Sequence, residues 1–243
     1  MKPDLDFARD ALVLDIDGTL IEIAPAPEDV VVPPDLVRTL AALRPLLGGA
    51  LAFCSGRTLQ AVDALFAPLK LAAIGAHGAE IRVAPDAPMK VAARTVPQAA
   101  KDAFADVEQR FPGVRVEDKT YTLAFHFRQA PRAEDALGRL IGERLARLKS
   151  DLTVLHGKAI FELKEPGFNK GTGFEALMGH PPFHGRRPVF LGDDQTDEDV
   201  MAVLARYGGV GISVGRLLKG AQGEFAAPAQ VRAWLSQMAT EEA

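Results

Sequence analysis

Cysteine is nearly absent. The 243-residue chain carries one, Cys54, so no disulfide can form within it. Cys54 closes the apolar run Leu51-Ala52-Phe53-Cys54 and reads as a buried structural thiol in a reducing compartment. No apolar run reaches the roughly 18 residues that a membrane span needs. The start, Met1-Lys2-Pro3-Asp4-Leu5-Asp6, lacks a basic-then-apolar leader, and a cytoplasmic location without membrane attachment is expected. An excess of positive charge is missing too: 28 Lys and Arg stand against 32 Asp and Glu, for a net charge of −4. That argues against nucleic acid as the main partner, which demands a basic face. Repeats, low-complexity tracts and long linkers are absent. What remains is ordinary: 48% hydrophobic and 25% charged residues, enough to bury a sizeable core in one or two domains.

The first part of the chain alternates strand and helix. Ala11 to Leu14 is a short apolar run that stops at an Asp-rich loop, as a buried strand does. Asp35 is placed to cap a helix whose apolar positions are Leu36, Val37, Leu40, Leu43 and Leu47. Leu51 to Cys54 is a second strand, Thr58 caps a helix with Leu59, Val62, Leu65, Phe66 and Leu69 inward, and Leu71 to Ile74 is a third strand. This order implies a parallel sheet flanked by helices, with ligands beyond the carboxyl ends of the strands. Near residue 90 the pattern changes. A helix over Gln98–Phe111, an alternating strand over Tyr121–Arg128, a helix over Arg132–Lys149 and two short strands (152–155 and 159–164) describe a small α+β domain. The first pattern then resumes: a helix over Lys170–Met178, a buried strand over Pro188–Leu191, a helix capped by Thr196, a strand over Val210–Val214 and a last helix marked by Val231, Trp234, Leu235 and Met238. The expected fold is an α/β core of residues 1–90 and 166–243 interrupted by a smaller domain at 91–165.

Four features fall at strand ends or a helix start: Asp15-Ile16-Asp17-Gly18-Thr19, Ser55-Gly56-Arg57, Lys170 and Gly192-Asp193-Asp194. Clustered carboxylates repel one another and need a compensating cation; hard oxygen ligands on a tight loop suit Mg²⁺, and Asp15 and Asp193 are placed to share one ion. Asp15 can attack phosphorus to give an aspartyl-phosphate. Asp17, two residues on, can protonate the leaving group and then activate water. Gly18 permits close approach of backbone N–H groups to phosphoryl oxygens, Ser55 can donate to one of them, and Lys170 offers compact positive charge. Singly, Ser55 and Lys170 read more often as a turn residue and a surface lysine than as site residues. The string Asp-x-Asp-Gly-Thr is more specific, arising by chance in roughly a few chains per thousand of this length.

These motifs, in this order, resemble those of haloacid dehalogenase-like (HAD) phosphatases, and the segment between Ser55 and Lys170 is where that family carries its second type of cap. A closer resemblance is to the trehalose-6-phosphate phosphatase branch. It rests on Gly192-Asp193-Asp194-Gln195-Thr196-Asp197-Glu198, Gly75-Ala76-His77-Gly78, Glu117-x-Lys119, His126-Phe127-Arg128 and Glu162-Leu163-Lys164. The resemblance implies a Rossmann-like parallel-sheet core of the HAD fold with an inserted α+β cap. It implies Asp15 as nucleophile, Asp17 as acid/base and Lys170 as the catalytic cation. Mg²⁺ would be held by Asp15, the Asp17 carbonyl and Asp193, with Asp194 second in line. Substrate contacts would come from Gly18, Thr19, Ser55, Arg57, His77 and Gly78 in the core and from Glu117, Lys119, His126, Arg128, Glu162 and Lys164 in the cap. Arg57 either touches the phosphate or holds a loop. The implied partner is a small sugar phosphate; the sequence does not speak to oligomeric state. Three other readings stay open: a phosphatase of sucrose phosphate or a glycosyl-phosphoglycerate, a binding module without turnover, and a phosphotransferase such as a mutase.

Overall fold

The computed structural model describes residues 3–24 and 29–241. They fall into two compact units, one from residues before 93 and after 167, the other from residues 93–167. The first unit opens with β1 (Asp10–Leu14), α1 (Pro34–Leu46), β2 (Leu51–Cys54), α2 (Leu59–Phe66), β3 (Ala72–Gly75), β4 (Glu80–Arg82) and β5 (Lys90–Val91). The second unit holds α3 (Gln98–Ala103), α4 (Val107–Arg110), β6 (Arg115–Asp118), β7 (Thr122–His126), α5 (Glu134–Leu148), β8 (Thr153–Gly157) and β9 (Ile160–Lys164). The first unit then resumes with α6 (Lys170–Met178), β10 (Arg187–Gly192), α7 (Glu198–Leu204), β11 (Val210–Val214), β12 (Gly223–Phe225) and α8 (Pro228–Glu241).

In the first unit the strands form one sheet in the order β12-β11-β10-β1-β2-β3-β4-β5, parallel from β12 to β3 and antiparallel at β4 and β5. Strand alternation sorts the side chains onto two faces. Leu12, Leu14, Phe53, Leu191 and Ile212 pack with α1, α2 and α8. Val13, Cys54, Ile74 and Phe190 pack with α6 and α7. The α/β class is therefore realised as a sheet between two helical layers. Each fully buried Leu or Phe contributes roughly 1.5–3 kcal/mol, so stability concentrates in β1, β2 and β10, which are covered on both faces. Cys54 is buried as expected, and burial pushes its thiol far above the ordinary range.

In the second unit the antiparallel sheet runs β6-β7-β9-β8. Leu123, Phe125, Phe161 and Leu163 face a core shared with Phe104, Val107, Leu137 and Ile141. The other face carries Glu117, Thr122, Ala124, His126, Glu162 and Lys164.

Local expectations fail where a side chain offers the backbone a different partner. Asp35 does not cap α1; Pro33 is the N-cap and Pro34 the first helical residue, a place where its missing N–H goes unmissed. Thr196 is not a cap either. Asp194 caps a 3₁₀ turn ahead of α7, accepting from the Thr196 N–H at 2.8 Å. Thr58 does cap α2, through Ala61. The single helix expected over Gln98–Phe111 is two: Arg144 takes the Ala103 carbonyl at 2.6 Å, withdrawing it from the helical ladder, and also pairs with the Asp106 side chain, while the Val107 N–H turns to the Phe104 carbonyl. The four short strands β4, β5, β6 and β12 had too few residues to show a period.

Candidate active site

The chemistry-bearing residues of the first unit lie just past the carboxyl ends of its parallel strands, where open α/β sheets bind ligands. Asp15 follows β1, its N–H donating to Leu191 O at 2.9 Å. Ser55 follows β2 and Asp193 follows β10. Lys170 is the first residue of α6, held there by a reciprocal capping box between Asn169 and Thr172. The sheet thereby brings together residues far apart in the chain: Lys170 Nζ donates at 2.7 Å to Asp15 Oδ1, 155 positions away, and at 2.7 Å to Asp197 Oδ1. All three side chains are at most 5% exposed.

Asp197 is the residue that sequence reasoning missed. It lies four residues past Asp193, beyond a turn, inside the Gly192–Glu198 motif but without a role of its own there. Its Oδ2 accepts from the backbone N–H groups of Asp193 and Asp194, at 2.9 and 3.0 Å, while Lys170 holds Oδ1. Asp197 thus fixes the loop that carries Asp193 and anchors the lysine.

Asp15, Asp193 and Asp197 offer oxygens within 4.8 Å of one another. Burial pushes the carboxyls of all three up to about 7; Lys170 pulls against this, and neighbouring carboxylates add to it. Burial opposes the charge on Lys170, but Asp15 and Asp197 outweigh it and hold its pKa well up. Asp194 is half-buried, and although burial works against its charge, Lys170 and the Thr196 hydrogen bonds bring its carboxyl below the ordinary range. One lysine against this set leaves unbalanced negative charge in a dry place, and the donors are hard oxygens. The residues therefore fit a small divalent cation. Asp197 has both oxygens engaged, so Asp15 and Asp193 are the side chains available to one.

Gly18 gives space rather than a donor. Its φ is +87°, a Cβ there would fall 2.2 Å from Asp193 Oδ2, and its N–H is spent on Ile21 O at 2.7 Å. Thr19 is buried and its hydroxyl has no partner among the described residues. Ser55 Oγ accepts from the Arg57 N–H at 3.1 Å, which leaves its own proton to donate. Arg57 grips Asp17 through two hydrogen bonds, Nε to Oδ2 at 2.6 Å and Nη2 to Oδ1 at 2.7 Å. Ala76 and His77 both adopt positive φ, +46° and +54°, a strained pair for residues with side chains. That turn donates from Ala76 N to Arg57 O and from His77 N to Ser55 O. It sets the His77 ring where a Cβ on Gly56 would be, and Gly78 against the Asn169 carbonyl. His77 and Gly78 thus brace the Ser55 loop and the start of α6. Arg216, also missed, donates Nε to the Asp193 carbonyl at 3.1 Å.

Within the second unit, Glu117, Ala124 and Glu162 stand side by side across β6, β7 and β9, with Thr122 opposite Lys164. Lys119 pairs with Glu162. His126 Nε2 lies 2.8 Å from Glu117 Oε2, and that hydrogen bond holds the Glu117 carboxyl below its usual range. Glu162, Lys164 and Thr122 are buried, unlike the side chains of a plain solvated face. Arg128 is apart: it lies past the end of β7, exposed, and donates to Lys158 O at 3.4 Å. Thr122 is a further residue on this polar face, its buried hydroxyl without a partner among the described residues.

The trehalose-phosphatase family model matches residues 13–227. The chain belongs to that family. A trehalose-6-phosphate phosphatase of Escherichia coli K12 is 38% identical over 242 residues, covering 98% of this chain and 89% of that one. A probable trehalose-phosphate phosphatase of Sinorhizobium fredii is 41% identical over 216 residues, covering 88% and 80%. Among solved structures, the C-terminal domain of the Candida albicans trehalose-6-phosphate phosphatase superposes with a TM-score of 0.82 at 22% identity, over 95% of this chain and 92% of that one; at that identity the likeness speaks for the fold. Family membership makes the chain a phosphatase. Among the described residues no helix is long and apolar enough to cross a membrane.

Proposed function

We propose that the chain hydrolyses trehalose 6-phosphate to trehalose and phosphate, with Mg²⁺ bound and an aspartyl-phosphate formed on Asp15. The observation that carries the reading is the buried bridge from Asp15 through Lys170 to Asp197, beside Asp193. It pairs a carboxylate nucleophile with a fixed cation and an acidic cradle in a member of this family. Asp15, Asp193 and the Asp17 carbonyl would hold Mg²⁺, which supplies positive charge that keeps the carboxylates ionised and draws charge from the phosphoryl oxygens.

Lys170 fixes Asp15 Oδ1, so the other oxygen attacks phosphorus; the new O–P bond forms as the P–O bond to the sugar breaks. Asp17 gives a proton to the departing sugar oxygen. Water then attacks phosphorus, Asp17 takes its proton, the Asp15–phosphorus bond breaks and phosphate leaves. Ser55 donates to one phosphoryl oxygen and Lys170 offsets the charge that builds there. Gly18, Thr19, His77 and Gly78 shape this end of the site. The second unit serves as the sugar-recognising cap, its polar face of Glu117, Lys119, His126, Glu162 and Lys164 pairing with sugar hydroxyls; Arg128, at the rim, is assigned the weakest part.

The test is phosphate release from a panel of sugar phosphates, with Mg²⁺ and with EDTA, alongside Asp15→Asn. Metal-dependent release concentrated on trehalose 6-phosphate and lost in the variant is expected. Release concentrated on sucrose phosphate or another sugar phosphate would overturn the substrate and keep the chemistry. No release from any of them would favour a binding module.

A further inference from the structure

Both oxygens of Asp17 are already taken. The Arg57 guanidinium meets them as a parallel fork at 2.6 and 2.7 Å, the strong geometry for such a pair, and the arginine side chain is mostly buried while that of Asp17 is about one-third exposed, at 33%. Arg57 is itself anchored at both ends of its peptide. Its N–H donates to Ser55 Oγ at 3.1 Å, and its carbonyl accepts from Ala76 N at 2.7 Å. The loop that presents Ser55 to a phosphoryl group therefore also delivers the fork to Asp17. An aspartate whose two oxygens accept from one guanidinium is held in a single side-chain orientation, with one acceptor position on each oxygen occupied.

We propose that Arg57 is the positioning residue of Asp17, keeping the acid/base carboxyl in register beside the Ser55 loop until a phosphoryl group arrives and draws the guanidinium onto its own oxygens. This rests on the reading of Asp17 as acid/base given above. It also unites the two roles open to Arg57: the arginine holds the loop pair when the site is vacant and turns to phosphate when substrate enters.

The test exploits leaving groups. A sugar oxygen needs acid assistance to depart, whereas p-nitrophenolate departs almost unaided. The full chain, Arg57→Ala and Arg57→Lys are assayed with Mg²⁺ on p-nitrophenyl phosphate and on the sugar phosphate that the parent chain turns over best. Both variants are expected to lose at least about 10-fold more in kcat/KM on the sugar phosphate than on p-nitrophenyl phosphate, a part of what positioned acid–base groups contribute. Lysine keeps the charge but not the fork, so it falls with alanine. Equal losses on the two substrates, or no loss, would overturn the proposal. Should the variants fail to fold, the structure of Asp15→Asn with inorganic phosphate and Mg²⁺ decides: Arg57 turned onto phosphate supports it, and an unbroken Arg57–Asp17 fork overturns it. A parent chain inactive on every sugar phosphate refutes the parent reading instead, and does so before any Arg57 variant is made.

Discussion

Replacing Asp193 by asparagine should make the metal-free protein more stable while abolishing its response to metal. Asp193 offers an oxygen within 4.8 Å of Asp15 and Asp197. At an effective dielectric constant of ~20, two unit charges that far apart repel by about 3.5 kcal/mol. Lys170 offsets part of this and Asp193 is partly exposed, so a relief of about 2 kcal/mol is the better figure once solvent screening is allowed for. Asparagine keeps the size and drops the charge, and its amide brings an N–H donor where the carboxylate had only acceptors. For a chain of this length that is a rise in Tm of about 4–8 °C. The pH dependence has a definite sign. Burial first, then Asp197 and Asp194, lift the Asp193 carboxyl from 3.8 to about 7. The folded state therefore binds a proton that the unfolded chain has released, and this contribution is present below pH ~4 and lost as pH rises toward ~7. In EDTA the gain from Asp193→Asn should be large at pH 8 and small at pH 5. Mg²⁺ at 100 times its Kd should then raise the parent chain by about 2.7 kcal/mol and leave the variant unmoved. Thermal melts of both proteins at the two pH values, with and without Mg²⁺, are the assay. A variant no more stable than its parent in EDTA at pH 8 refutes the repulsion argument. A variant that Mg²⁺ stabilises as much as its parent refutes Asp193 as a ligand.

Lys170→Met leaves Asp15 and Asp197 buried without their cation; a loss of about 3–5 kcal/mol at pH 8, read from the denaturant midpoint, should accompany loss of turnover. Gly18→Ala asks a side chain to sit at φ +87°, 2.2 Å from Asp193 Oδ2. The displaced ligand should raise the Mg²⁺ half-saturation of the melting shift by about 10-fold or more. Thr122→Val exchanges a buried, unpartnered hydroxyl for a methyl group. A gain of up to about 1 kcal/mol is expected, and a drop in Tm would show that the hydroxyl is satisfied in solution.

The core strands were legible because a strand buried on both faces reads as an unbroken apolar run, and the first polar residue after it marks the end where ligands bind. Asp15, Ser55 and Asp193 were found that way. Lys170 was legible through family likeness and the helix start. Asp197 was not, because its role depends on a turn that Asp194 makes by capping its own chain, and nothing in residue type distinguishes it from Glu198 or Asp199. The two roles left open for Arg57 could not be separated from sequence, since its partner Asp17 lies 40 residues away and only the pairing of β1 with β2 brings them close. The broken helix around Phe104 was hidden for the same reason: its competitor, Arg144, belongs to another element.

The position of β1 in the sheet has a consequence for how the chain acquires its form as it leaves the ribosome. β1 lies between β2 and β10, so one of its edges is matched early and the other stays bare until Arg187–Gly192 has been made. The segment 93–167, by contrast, is one uninterrupted stretch with its own sheet and its own apolar cluster, and it can close while that edge still waits. The middle of the polypeptide is thus equipped to mature before the flanks that hold it, and the exposed edge of β1 is the stretch most open to wrong pairing in the meantime. A nascent chain stalled before Asp197 would own Asp15 and Lys170 but not the second carboxylate that anchors the lysine, so the buried bridge waits for the strand and turn that follow α6.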